Sequence, residues 1–198
     1  MAHPENAIGS PGMPRMGNAL TRGVGRLLLK LMGWRISGSL PDEKKLIIIG
    51  GPHTSNLDFV LAMSTMLAVG LRFSYMMKKE AFENPLGGLF KALGGVPIDR
   101  ADAGDVARQM ADWFNANDTV WLGITPEGTR SKVQSFKKGY LHIALASKAP
   151  LFIVGINAPT REVVLDRIWP LTGDIDRDNA AIRDYMYSKF TGVNPENQ

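Results

Sequence analysis

Two residues five positions apart, His53 and Asp58 in the stretch IIIGGPHTSNLDF (residues 47–59), have the types needed for acid–base chemistry. A neutral imidazole takes a proton from a hydroxyl. A carboxylate on its other ring nitrogen fixes the tautomer and stabilises the cation that forms. Within a regular helix this spacing puts the two side chains on different faces. With His53 in a loop and Asp58 in the first turn of a following helix, the chain folds back and they meet. A structural reading competes: Ser55 as N-cap and Asp58 at the third helical position make a capping box, and His53 is then a polar turn residue.

Two further loops carry groups that bind anions. In TPEGTRS (residues 125–131), Pro126 begins a turn and Gly128 is suited to positive φ. The N–H groups of such a turn, with the Arg130 guanidinium beside them, form a cradle for a phosphate. Lys132, Lys137 and Lys138 follow closely, and a solvated basic turn is the plainer alternative. In GGVPIDR (residues 94–100), glycines allow close packing and Arg100 emerges as a second anion contact, unless it only pairs with Asp99 on the surface. The chain has no cysteine, which removes thiol nucleophiles, disulfides and thiolate metal sites, and suits a reducing cytosol. Three scattered histidines without ligand spacing argue against a metal centre.

The elements that must position these loops are legible from hydropathy. The 198 residues, 44% hydrophobic and 21% charged, suit one domain with a real core. KKLIIIG predicts a buried strand and residues 57–69 a helix. RFSYMMK and VPID predict strands on either side of a glycine-broken helix in PLGGLFKALGG. Residues 104–115 predict a helix, DTVWLGIT a strand, KKGYLHIALAS a helix and APLFIVGIN a strand. REVVLDRIW predicts a late alternating strand, and DNAAIRDYMYSKF a last helix begun by Asp178 or Asn179. Strands separated by helices imply an α/β layered single domain with a central, mostly parallel β-sheet flanked by helices. In such sheets the working loops lie beyond the carboxyl ends of the strands, where all three loops fall.

The net charge is only +4, but its placement is informative. Between residues 13 and 38 lie Arg15, Arg22, Arg26, Lys30 and Arg35 and no acid. Leu20, Val24, Leu27, Leu28 and Leu31 recur at spacings of three and four, so a helix here has one apolar and one basic face. That is the pattern of a helix lying in an anionic membrane surface, and the Trp34 that follows either anchors at that interface or fills core. A terminal helix packed on its own domain is the alternative. The longest uncharged apolar stretch, residues 59–71, is too short to span a bilayer, and the chain lacks a signal-peptide pattern. Aromatic and basic residues are not interleaved as in single-strand binders, so nucleic acid is not an expected partner. Met63, Met66, Leu67 and the YMM stretch are candidates for an acyl-chain groove, although a plain core is the better reading of them.

Taken together, HTSNLD, GGVPIDR, PEGTRS and APLFIVGI resemble, in order and spacing, the four motifs of the glycerophospholipid acyltransferase family, over about residues 34–157. The last departs from the family pattern, with Ile153 where a second proline often stands. The resemblance implies an O-acyltransferase in which His53 deprotonates an acceptor hydroxyl and Asp58 orients and charges the imidazole. Glu127, Gly128, Thr129, Arg130 and Arg100 then serve the acceptor and its phosphate. It implies no cofactor, with an acyl-CoA or acyl carrier protein thioester as co-substrate and a lysophospholipid-like acceptor, 1-acylglycerol-3-phosphate first. An aminolipid or similar amphiphile is an alternative acceptor. The chain then divides into a disordered tail (1–17), a membrane-surface helix (18–33) and an acyltransferase domain (34–198). The expected location is cytoplasmic, peripheral to the inner face of the cell membrane. Two rival classes stay open: a thioester hydrolase using the same pair on water, and a non-catalytic module binding anionic lipid.

Overall fold

Leu46, Ile47 and Ile49 form an aliphatic run with no solvent exposure. A strand apolar on both faces belongs at the centre of a sheet covered on both sides, and that is where this one lies. The computed structural model describes residues 12–92, 94–99 and 106–198. Its strands are β1 (Arg35–Gly38), β2 (Lys45–Gly51), β3 (Ser74–Lys78), β4 (Gly95–Ile98), β5 (Val120–Ile124), β6 (Leu151–Asn157) and β7 (Glu162–Trp169). They form one sheet in the order β1-β7-β6-β2-β5-β3-β4. All neighbours are parallel except β6 and β7.

The helices are α1 (Ala19–Leu31), α2 (Leu57–Val69), α3 (Gly87–Ala92), α4 (Val106–Ala116), α5 (Gly139–Ser147) and α6 (Ile175–Lys189). Alternation along β2 divides the core. Ile47 and Ile49 pack with Phe114 of α4, Tyr140 of α5 and Met186 of α6. Leu46 faces the other way, into a cluster with Val69 of α2. Beside it, Leu29 of α1 packs with Leu61 of α2. The result is the expected α/β layering, with a mostly parallel sheet between helices.

Several expectations need correction. Sequence reasoning misses β1, which has only four residues and no fully buried position to give it a pattern. β7 returns antiparallel to β6 because only Ala158–Arg161 joins them, too few residues for a parallel crossover. Helix α6 is capped by Asp174, whose side chain accepts from the N–H groups of Asp176 and Arg177. Asp178, expected at the helix start, is instead buried in its first turn and binds the Thr172 and Gly173 N–H groups. Of the expected tail, residues 1–11 lie outside the described residues. Residues 12–17 are tied down, with Met13 buried, Met16 N–H donating to the Gly70 carbonyl and Arg72 N–H to the Pro14 carbonyl. Trp34 is buried with Leu29 and Leu61 rather than placed at an interface.

The N-terminal helix packs on its own domain and leaves an apolar face uncovered. Gly25 faces α2 so closely that an added Cβ would lie 2.4 Å from the Ala68 nitrogen and 2.7 Å from the Ser64 oxygen. Through Gly25 and Leu29, α1 is therefore bound to the domain. Its predicted apolar stripe nevertheless points outward: Leu20 and Leu31 are each 75% exposed, and Val24, Leu27 and Leu28 are exposed too. Gly25 lies against Ser64 to Ala68, and Leu29 against Leu57 and Leu61. The C-terminal end of α1 thus lies beside the first turns of α2, where Phe59 and Val60 are also exposed.

Candidate active site

β2 and β5 are neighbours in register, with Ile49 opposite Ile124, so the loops leaving their carboxyl ends are adjacent. From β2 the chain passes a cis Gly51–Pro52 peptide, then His53, and enters α2. Asp58 lies in the first turn of α2, and its Oδ2 is 3.1 Å from His53 Nδ1. The pair expected from sequence therefore meets in space. A carboxylate at this distance fixes Nδ1 as the protonated nitrogen, leaving the Nε2 lone pair free to act as a base. The His53 side chain is 15% exposed and that of Asp58 only 4%.

Asp58 does not have to choose between its two expected roles. Its Oδ2 also accepts from the N–H groups of Thr54 at 2.7 Å and Ser55 at 2.8 Å. The Ser55 hydroxyl accepts from the Leu57 N–H at 3.1 Å. Asp58 thus makes its half of a capping box while also reaching the imidazole. The helix, however, begins at Leu57 with Asn56 in the cap position, one residue later than expected, and the Asp58 N–H donates to the Ser55 backbone carbonyl. Asn56 makes no side-chain cap bond. Asp58 Oδ1 is buried and has no hydrogen-bond partner among the described residues to draw the carboxylate from the ring.

A second carboxylate flanks the histidine from behind. Glu127 is 3% exposed, and its Oε1 accepts from the His53 N–H at 3.0 Å. Burial pushes its pKa above the usual carboxylate value, with the Asp58 charge adding to the rise and the His53 N–H opposing it. Where sequence reasoning assigns Glu127 to the acceptor region, its side chain turns inward and grips the loop that carries His53. Gly51 makes space for it, since a Cβ there would lie 3.0 Å from Oε1 and 2.9 Å from Met186 Cε.

The rest of the turn after β5 faces outward. Gly128 N–H donates to the Thr125 carbonyl at 3.1 Å, and Gly128 has a φ of +64°, the left-handed conformation the turn requires. Thr129 and Arg130 are exposed, and Arg130 has no ion pair among the described residues. A residue that sequence reasoning leaves as part of a basic run gains a place here. The Lys137 side chain lies over Gly128, with Nζ 2.8 Å from where a Cβ would be, adding a second cation to the Arg130 turn. Lys138 instead pairs with Asp176. Arg100 lies outside the described residues; Asp99 before it pairs with Lys79 at 2.5 Å. Among the described residues no cluster of histidine and acidic side chains could hold a metal ion.

One group of contacts has no local signal in the sequence. Asn194 and Asn197, beyond α6, both bind Thr54, the residue next to His53, across 140 and 143 positions.

A family model described as acyltransferase matches residues 34–157. The 1-acyl-sn-glycerol-3-phosphate acyltransferase of Limnanthes alba is 32% identical over 147 residues, covering 69% of this chain and 50% of that protein. The enzyme of the same name from Cocos nucifera is 32% identical over 145 residues, covering 69% and 46%. The chain spans about half the length of the curated relatives it matches. Among solved structures, the 1-acyl-sn-glycerophosphate (LPA) acyltransferase PlsC of Thermotoga maritima shares the fold. Its TM-score is 0.59 over 86% of this chain and 78% of that one, at 16% identity.

Proposed function

This chain belongs to the acyltransferase family, and from that premise we propose that it transfers a fatty acyl group from a thioester to the hydroxyl of a lysophospholipid-like acceptor. The acceptor named first is 1-acylglycerol-3-phosphate, the type of acceptor in the names of its relatives. The donor is an acyl-CoA or an acyl carrier protein thioester. The observation that carries the reading is the His53–Asp58 contact of 3.1 Å, with the carboxylate buried and the imidazole reaching the surface.

The chemistry follows from that contact. His53 Nε2 takes the proton of the acceptor hydroxyl as its oxygen attacks the thioester carbonyl. Asp58 stabilises the imidazolium formed in this step. The tetrahedral adduct then collapses, the C–S bond breaks, and the imidazolium returns its proton to the departing thiolate. One ester forms, one thiol leaves and the base is restored, with no acyl-enzyme. Glu127 holds the His53 backbone while Arg130, Gly128, Thr129 and Arg100 receive the acceptor's phosphate. A guanidinium suits that phosphate because it offers paired N–H donors with a full charge.

The exposed leucines of α1 favour a membrane-borne acceptor. A stripe of this kind is stabilised by entry into the lipid interface, and Arg22, Arg26 and Lys30 add attraction to anionic headgroups. No helix among the described residues is long and apolar enough to cross a membrane. We therefore assign α1 to peripheral contact, at the inner face of the cell membrane.

The test is a purified-protein assay with acyl-CoA or an acyl carrier protein thioester and 1-acylglycerol-3-phosphate. It follows both free thiol and diacylated product by mass spectrometry. Thiol release that depends on the acceptor and matches ester formation is the expected result. Free fatty acid formed equally well without acceptor would mark a hydrolase. Lipid binding with no turnover on any donor would mark a non-catalytic module. Product formed only from an aminolipid would replace the acceptor.

A further inference from the structure

Thr54 links the proposed base to the helix that carries its carboxylate, and it is buried. The peptide unit joining Thr54 to Ser55 is gripped at both ends. Its N–H, on Ser55, donates to Asp58 Oδ2 at 2.8 Å. Its carbonyl oxygen, on Thr54, accepts from Asn194 Nδ2 at 3.3 Å and Asn197 Nδ2 at 3.2 Å. The Asn194 N–H adds a third bond at 3.1 Å to the Thr54 hydroxyl oxygen. Donors on the carbonyl polarise the whole peptide and strengthen its N–H toward the carboxylate.

The segment that supplies these donors is itself fastened. Ala158 N–H donates to the Thr191 carbonyl at 2.8 Å, tying the segment to the chain leaving β6. Gln198 binds the Phe190 carbonyl at 2.9 Å through Nε2 and the Gly192 N–H at 3.0 Å through Oε1. Gly192 lies so close to Thr54 that a Cβ would come within 2.6 Å of its Cγ2 and Oγ1. Residues 191–198 all fall beyond the stretch matched by the family model, which ends at residue 157.

We propose that residues 191–198 form a strap that positions the catalytic loop, with Asn194 and Asn197 as positioning residues that hold the Thr54–Ser55 peptide, and through it His53, in line with Asp58. The proposal rests on the reading of His53 as the base. Two side-chain amides that could be served by water converge instead on one carbonyl beside the base. Their removal leaves the acceptor turn after β5 untouched. The expected signature is therefore a loss in the chemical step without a loss in binding.

The experiment compares Asn197→Asp, which keeps the shape but removes the donor, with the double variant Asn194→Ala/Asn197→Ala and with Gly192→Ala, which crowds Thr54. Glu196→Ala, an exposed position on the same strap, is the control, and His53→Ala reports on the base. Steady-state kinetics are run well below each variant's Tm and corrected for folded fraction by circular dichroism. For the strap variants kcat should fall about 10- to 100-fold, as small misplacement of a reacting group does. KM for donor and acceptor should stay within about twofold, since binding groups are not moved. Glu196→Ala should match the unmodified protein.

Retention of kcat in folded strap variants, a rise in KM alone, or a fall in Tm with normal kcat per folded molecule would each overturn the proposal. If the double variant does not fold, Asn197→Asp decides by the same criteria. An inactive His53→Ala beside fully active strap variants defeats the strap alone. An active His53→Ala defeats the reading of the base instead.

Discussion

The loop after β2 and the turn after β5 leave neighbouring central strands at the carboxyl end of the sheet, yet they are finished in opposite ways. Around His53 the backbone and one oxygen of each carboxylate are engaged from within the protein, while Asp58 Oδ1 and Glu127 Oε2 are buried with no partner among the described residues. Asp58 takes the ring and two N–H groups, Glu127 takes the His53 N–H, and Asn194 and Asn197 take the Thr54 carbonyl. Around Gly128 the side chains of Thr129, Arg130 and Lys137 stand in solvent. On the proposed function, a base must be held to within a fraction of an ångström to work, so its geometry is best set before substrate arrives. A cation meant to bind a ligand gains most when it has no internal partner, and Arg130 has no ion pair among the described residues. The difference separates fixed chemistry from open recognition.

Substitutions on the two sides should split accordingly. The largest effect is expected at the base: His53→Ala should abolish measurable acyl transfer in a purified assay while leaving the melting temperature nearly unchanged. Asp58→Asn should lower kcat by about 10³- to 10⁴-fold, as expected when a carboxylate–histidine pair loses its charge. A folded Asp58→Asn protein with near-normal kcat would return Asp58 to helix capping alone.

On the open side, Arg130→Ala removes one charge-assisted contact of about 1.5–3 kcal/mol. Acceptor KM should rise on the order of 10- to 100-fold, with a much smaller change in kcat. If kcat fell and KM did not, the split between the two loops would collapse.

A smaller effect is expected at α1. Replacing Leu20 and Leu31 by serine should weaken binding to anionic vesicles by about tenfold, since only part of each side chain enters the interface. Higher salt should weaken binding of both forms, because exposed charges are screened. Sedimentation with vesicles of defined anionic content reads both. Equal binding before and after the substitutions would confine α1 to packing on the domain.

The smallest expected effect is the pH dependence contributed by Glu127. Burial raises its pKa in the folded protein, so the native state holds this proton more tightly than the unfolded chain. Its contribution to stability is full below the ordinary Glu value and is lost as pH rises through the raised one. Glu127→Gln should remove that part of the slope. Urea unfolding of both proteins across mildly acidic to neutral pH measures it, and parallel curves would show that Glu127 does not contribute.

What the sequence made legible follows the reach of its signals. Helix α2 ends where hydropathy ends it, and the His53–Asp58 pair is readable because five residues and a helix start suffice to build it. The run from Leu46 to Ile49 announces a central strand through its own composition. Strand β1 does not, because its four residues are only half-buried and its partner is β7, 127 positions away at Arg35 and Glu162. The inward turn of Glu127 depends on which loop lies beside it, a property of strand order rather than of local pattern. Asn194 and Asn197 belong to no periodic pattern or motif, and their role shows only when Thr54 is placed beside them. Even Asp178 misleads, since an acid near a helix start reads as a cap when its carboxylate in fact binds the preceding loop.

The strand order carries a consequence for the molecule's dealings with its own copies. A sheet whose outermost strands offer free backbone invites other chains to add to it. Here both outer strands, β1 and β4, are only four residues long. Pro97 in β4 brings no N–H to an incoming strand, and β1 stops at Gly38, whose backbone bends into the left-handed region. The seven strands therefore finish in two blunted margins, and crowded molecules meet borders ill suited to growing a fibril.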